Sequence, residues 1–240
     1  MSKEIYLTSS PFWEPMKPFS NKNGFLDKLK GSIGHCHKAV LIASSPDDYK
    51  QTDEFSDAVK YTMEFSGIGA DEFVILDSRN KNDADTIVSS ADFIILAGGH
   101  VPTQNEFFRE IGLKDLLQKY NGVIMGISAG SMNAADIVYS QPEELGEAID
   151  PDYVRFMHGL GLTSKMIIPH YQDTKDGILD GMKLFEEITY PDSYGREFYV
   201  LCDGSFIYSD GEQEKLFGES YLIHDGTIRQ ICSDDEELNL

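Results

Sequence analysis

The sequence predicts an α/β fold: a doubly wound, mostly parallel sheet with helices on both faces and a C-terminal antiparallel hairpin extension. Three observations predict it. Short apolar runs recur along the chain, and helix-forming segments separate them. Most of these runs lack the apolar/polar alternation of a strand wet on one face, which suits strands covered on both sides. Beyond about residue 197 the runs become short, and the dipeptides Asp203-Gly204, Asp210-Gly211 and Asp225-Gly226 divide several of them, a hairpin signal.

Taken in chain order, strands are expected at 5–8, 38–43, 72–76, 92–96 and 122–126, and helices at 25–31, 53–65, 105–120 and 131–138. This βαβα order is that of a doubly wound sheet. The stretch 141–152 holds Pro142, Gly146 and Pro151 with five acidic residues, and reads as a loop. Another apolar run, 165–169, precedes a helix expected at 175–188. Short strands are expected at 198–201, 205–208, 214–217, 221–224 and 227–231 as an extension of the main sheet.

A chain of 240 residues with 41% hydrophobic content can bury a sizeable core. It is read as a single α/β domain over 1–240, with residues 233–240 as an acidic, solvated tail. The net charge of −21 repels nucleic acid and anionic membranes. No apolar run is long enough to span a bilayer, and the segment Met1–Tyr6 lacks the apolar core of a leader. Three cysteines, Cys36, Cys202 and Cys232, make a sparse and odd set, so no disulfide framework is expected. A cytoplasmic protein is expected.

The most informative segment is Gly122-Val-Ile-Met-Gly126-Ile-Ser128-Ala-Gly130-Ser131. It reads as a strand that turns through Gly-x-Ser-x-Gly into a helix, the context of a nucleophile elbow. Gly126 and Gly130 lack Cβ, so strand and helix can pack closely around the turn. The Ser128 hydroxyl then points outward, and the Ala129 N–H at a helix N-terminus can meet an oxyanion. A serine hydroxyl needs a base. Of six histidines, His170 is the best placed, because it comes after Met166-Ile-Ile-Pro169 at a strand's carboxyl end, the edge that carries sites in open α/β sheets. Gly98 and Gly99 also end a strand and can supply a second oxyanion amide. His35 and His37 flank Cys36, but no further Cys/His cluster along the chain completes a metal site, so no metal is expected. Nothing in the sequence calls for a nucleotide, flavin or other cofactor.

These residues resemble the peptidase E/cyanophycinase family of serine peptidases, which has a class I glutamine amidotransferase-like fold. The matching pieces are Gly126-Ile-Ser-Ala-Gly130-Ser, Ala97-Gly-Gly99, Gly159-Leu-Gly-Leu162, Ile168-Pro-His170-Tyr and the Asp203-Gly-Ser205 hairpin. The resemblance implies Ser128 as nucleophile, His170 as general base, and the Gly99 and Ala129 amides as the oxyanion hole. It sets the third triad member in the loop after the elbow helix, where Glu143 is favoured, Glu144 is the alternate and Asp136 ranks lower. The family commonly has Gly-Gly-Gly-Asn where this chain has Ala97-Gly-Gly-His100, so His100 is a candidate substrate contact. Family members recognise an aspartyl group, which needs a cationic or donor-rich pocket. Arg109, Arg155 and Lys165 are the basic residues near the motifs.

The expected activity is that of a dipeptidase-like serine peptidase acting on short peptides after an N-terminal aspartyl residue, by Ser-His-Glu acyl-enzyme chemistry. Its expected partner is a small peptide, with no nucleic acid and no membrane, and a homodimer stays open. Two other readings compete. An esterase of α/β-hydrolase type shares the elbow, but its histidine usually lies nearer the chain end. A non-catalytic binding protein could use the same fold.

Overall fold

The computed structural model describes residues 3–12 and 17–240. The start of the Met1–Tyr6 segment lies outside the described residues. Along the chain run β1 (Glu4–Thr8), α1 (Phe25–Ile33), β2 (Cys36–Ile42), α2 (Tyr49–Phe65), β3 (Ala70–Leu76), α3 (Ala84–Ser89) and β4 (Phe93–Leu96). Then come α4 (Val101–Glu110), α5 (Leu113–Lys119), β5 (Val123–Ile127) and α6 (Ala129–Asn133). The five strands pair in parallel in the order β3-β2-β4-β5-β1.

Where they cross the core the strands are apolar, because both faces are covered there. One face sets Tyr6, Leu41, Ile95 and Met125 against Leu29 of α1 and Val59 and Met63 of α2. The other sets Leu7, Ile42, Leu96 and Ile124 against Val88 of α3, Phe107 and Phe108 of α4 and Leu117 of α5. Among the described residues, no helix is long and apolar enough to cross a membrane.

From α4 onward the chain departs from expectation in five places. The helix expected at 105–120 is two helices, α4 and α5, because Gly112 adopts a left-handed φ of 63° between them. The helix expected at 131–138 stops at Asn133. The carbonyls of Asn133, Ala134 and Ala135 accept from Leu160, Leu162 and Gly161, so the Gly159–Leu162 segment captures the acceptors that a longer helix would use. Residues 137–139 instead form β6 (Ile137–Tyr139), paired with β7 (Phe156–His158).

The helix expected at 175–188 is largely replaced. After β8 (Met166–Ile168) come a single turn, α7 (Tyr171–Thr174), and a tight hairpin of β9 (Ile178–Leu179) and β10 (Met182–Lys183). Asp180 (φ 53°) and Gly181 (φ 83°) make its turn, the two-residue Asp-Gly connection typical of hairpins. A π-helical segment, Leu184–Thr189, and α8 (Tyr190–Asp192) come next.

The C-terminal strands divide between two sheets rather than all extending the first. β11 (Glu197–Leu201) pairs in parallel with β8 and antiparallel with β14 (Ser220–His224), which pairs with β15 (Thr227–Cys232). β12 (Phe206–Ser209) and β13 (Glu214–Phe217) join the main sheet beyond β1. The expected solvated tail is also corrected. Glu237–Asn239 forms β16 on the edge of β13, and Asp234 pairs with Lys22 at 3.0 Å. Satisfying the edge strand's backbone groups outweighs the polarity of the run.

Candidate active site

Ser128 stands between β5 and α6 with φ 49° and ψ −110°, a conformation that L-residues rarely adopt. Such backbone costs about 1–3 kcal/mol and persists only where the surroundings enforce it. Two contacts enforce it here. The Ser128 N–H donates to the carbonyls of Thr8 and Ser9 at 3.2 and 3.1 Å. A Cβ on Gly130 would collide with the Leu96 carbonyl, so only glycine lets α6 leave the strand this closely. The Ala129 N–H opens α6 and has no intrahelical acceptor.

His170 lies just past β8, also in a left-handed conformation with φ 58°. Its Nε2 lies 2.8 Å from Ser128 Oγ, and its Nδ1 lies 2.8 Å from Asp203 Oδ1. A carboxylate at Nδ1 fixes the proton there and leaves Nε2 to accept from the serine hydroxyl. The sheet register explains the meeting. β8 and β11 run parallel with Ile168 opposite Val200, so the residues just past the two strands come together.

The expected third member is corrected. Glu143 does not reach His170: its Oε1 accepts from the Val101 N–H at 3.1 Å. Asp136, the lower-ranked candidate, pairs with Lys114 at 3.4 Å. Glu144 is exposed, its carboxylate grouped with Glu147 and His100 rather than with His170. The 141–152 loop is drawn instead to the N-terminus of α4, where free N–H groups attract carboxylates. Burial pushes the Asp203 carboxyl upward, but hydrogen bonds from His170 and Ser9 outweigh it and hold the group below the usual aspartate range.

Ser9 was not singled out from the sequence, yet it touches every part of this arrangement. Its hydroxyl donates to Asp203 Oδ1 at 2.6 Å and accepts from the His170 N–H at 2.7 Å. Its carbonyl accepts from the Ser128 N–H, and the residue is fully buried. The register of β1 with β5, Thr8 opposite Ile127, sets Ser9 beside Ser128.

The strand-end glycines lie against the serine. A Cβ on Gly98 would stand 3.5 Å from the Ser128 Cβ. Gly99 has φ 153°, and any Cβ there would collide with Ser44 Oγ, which donates to the Gly98 carbonyl at 2.7 Å. His100 is held by Thr103 Oγ1 at Nδ1 (2.7 Å) and by Glu147 Oε1 at Nε2 (2.8 Å). The basic residues are engaged elsewhere: Arg155 with Asp192 at 3.1 Å, and Lys165 over the Tyr199 ring. Arg109 lines a cavity of about 390 Å³ with Phe108 and His158 that shares no residue with the Ser128 site.

A hydroxyl bonded to an oriented imidazole beside a helix-terminal amide, at the carboxyl edge of an α/β sheet, is an arrangement that serine hydrolases share. The model of peptidase family S51 matches residues 29–217, and the chain belongs to that family. The fold is similar to a crystal structure from Listeria monocytogenes EGD-e provisionally designated a peptidase E protein, with a TM-score of 0.57 at 16% identity, covering 96% of this chain and 100% of that one. No protein of curated function matches the sequence.

Proposed function

We propose that the protein hydrolyses short peptides by acyl-enzyme chemistry at Ser128. The observation that carries this reading is the pair of 2.8 Å contacts that His170 makes, one to Ser128 Oγ and one to Asp203. His170 Nε2 takes the hydroxyl proton as Oγ attacks the amide carbonyl. The Ala129 and Gly99 amides stabilise the oxyanion, and the imidazolium then protonates the leaving amine. Asp203 balances the imidazolium charge throughout. Water repeats the cycle to release the acid. The strain stored at Ser128 favours this reading over a binding protein, which has no use for a half-buried, tightly constrained serine.

Peptides that begin with aspartate are the substrates implied by the resemblance to peptidase E. His100, two residues from the strand-end glycine Gly98, is the proposed substrate contact. A cytoplasmic location belongs to the same reading, in keeping with three free, buried cysteines.

The test is hydrolysis of dipeptide amides with varied first residues, alongside labelling by a serine-directed phosphonate. Wild type is expected to cleave the aspartyl member and to be labelled, and Ser128→Ala to do neither while keeping its melting temperature. Cleavage of other members only would reassign specificity. Labelling that persists in Ser128→Ala, or silence of wild type toward every peptide, would overturn the proposal.

A further inference from the structure

Two histidines unused by the peptidase chemistry stand at the opposite end of the main sheet. His35 immediately precedes β2 and His37 lies on it. Residues two apart on extended backbone project to one side, and the two rings sit 4.3 Å apart. Cys36 between them points into the core. The pairing of β2 with β3, Cys36 opposite Ala70 and Lys38 opposite Glu72, sets Asp71 beside His37. Along their own strand, the histidines lack a third ligand. The neighbouring strand supplies it.

The donor atoms already converge. Asp71 Oδ2 is 3.4 Å from His35 Nε2 and 3.0 Å from His37 Nδ1. All three ligand atoms lie within 4.8 Å of one another. Tetrahedral coordination with bonds of about 2.0–2.2 Å puts neighbouring donors about 3.3–3.6 Å apart. The separations from Asp71, 3.4 and 3.0 Å, lie within and just below that edge length, so small rotations of exposed side chains would seat an ion. The backbone beneath is already fixed, because the N–H groups of His37 and Lys38 both donate to Asp92 Oδ2, at 2.8 and 3.0 Å. Lys38, the nearest cation on the strand, is paired with Glu72 at 3.6 Å.

We propose that His35 Nε2, His37 Nδ1 and Asp71 Oδ2 form a divalent-metal site, with zinc the best fit and a fourth position open to water. Two imidazoles and one carboxylate suit zinc better than the hard oxygen-seeking cations. The net charge of −21 draws cations to the surface. β3 is the edge strand of the main sheet, so a bound ion would tie that edge to β2 and to the turn after α1. An ion that binds only the folded chain stabilises it by mass action.

The test uses the full chain without a histidine tag, titrated calorimetrically with zinc chloride and melted with and without it. Wild type is expected to take up one Zn²⁺ at this site and to melt at a higher temperature with the ion. His37→Ala and Asp71→Asn are each expected to weaken binding by at least about tenfold, a lower bound set by what loss of even an outer-shell partner costs. The zinc-induced rise in melting temperature should vanish in a His35→Ala/His37→Ala variant. All three side chains are mostly exposed, so these substitutions leave the core intact. Absence of saturable binding would overturn the proposal. So would binding undiminished in the double variant, which would put the ion at another His–carboxylate group such as His100/Glu147.

Discussion

At the scale of single residues, the identity of the acid is the sharpest matter. Asp203→Asn would present an amide to His170 Nδ1 and disfavour the useful tautomer, and kcat is expected to fall by about 10³–10⁴. Glu143→Gln alters a group bonded to Val101 and should leave kcat within an order of magnitude. Steady-state kinetics of the pair decides between the two carboxylates. Because the folded-state pKa of Asp203 is depressed, its ionisation stabilises the fold above the ordinary aspartate range, and this is lost as pH falls through the lower folded value. The stability gap between wild type and Asp203→Asn should therefore narrow in urea melts as pH drops from about 5 to about 3. Ser9→Ala strips Asp203 of one donor and the His170 N–H of its acceptor. A buried polar group left unpaired costs about 1–3 kcal/mol. If Ser9 positions the base and acid, kcat should fall about tenfold or more at nearly constant KM. A change in KM alone would assign Ser9 elsewhere.

At the scale of elements, the site is built from residues just past the carboxyl ends of buried strands: Ser9 after β1, Ser44 after β2, Gly98 and Gly99 after β4, Ser128 after β5, His170 after β8 and Asp203 after β11. The strands themselves were legible, since residues such as Phe93-Ile-Ile-Leu96 are apolar on both faces. Ser128 and His170 were legible for the same reason, each being a reactive residue behind such a run. Asp203 carried the same signal but was absorbed into an Asp-Gly turn. Its pairing with His170 depends on β8 lying beside β11, a non-local fact that no local pattern encodes. The hairpin at Asp180-Gly181 was hidden inside a stretch of helical character. That hairpin matters to the site's rim. Both Asp180 carboxylate oxygens accept from the Gly146 N–H at 2.9 Å, and one also from Ala148. Asp180→Ala should free the 141–152 loop, seen as faster proteolytic nicking there and a raised KM with kcat largely kept.

At the scale of the whole molecule, a charge of −21 opposes compaction. Raising ionic strength from about 0.01 to 0.15 M shortens the screening length from about 30 to 8 Å, so the melting temperature should rise. A fall would mean that surface ion pairs such as Lys81–Glu110 outweigh the repulsion. The last consequence comes from the chain's passage between the two sheets at Cys202 and Asp203. Serine and base are separated by 42 residues, and the acid comes 33 later. A chain growing on the ribosome thus carries its serine long before anything can activate it. On the proposed mechanism the hydroxyl stays inert until His170 and Asp203 have both been made, and hydrolytic power is switched on only when the second sheet closes.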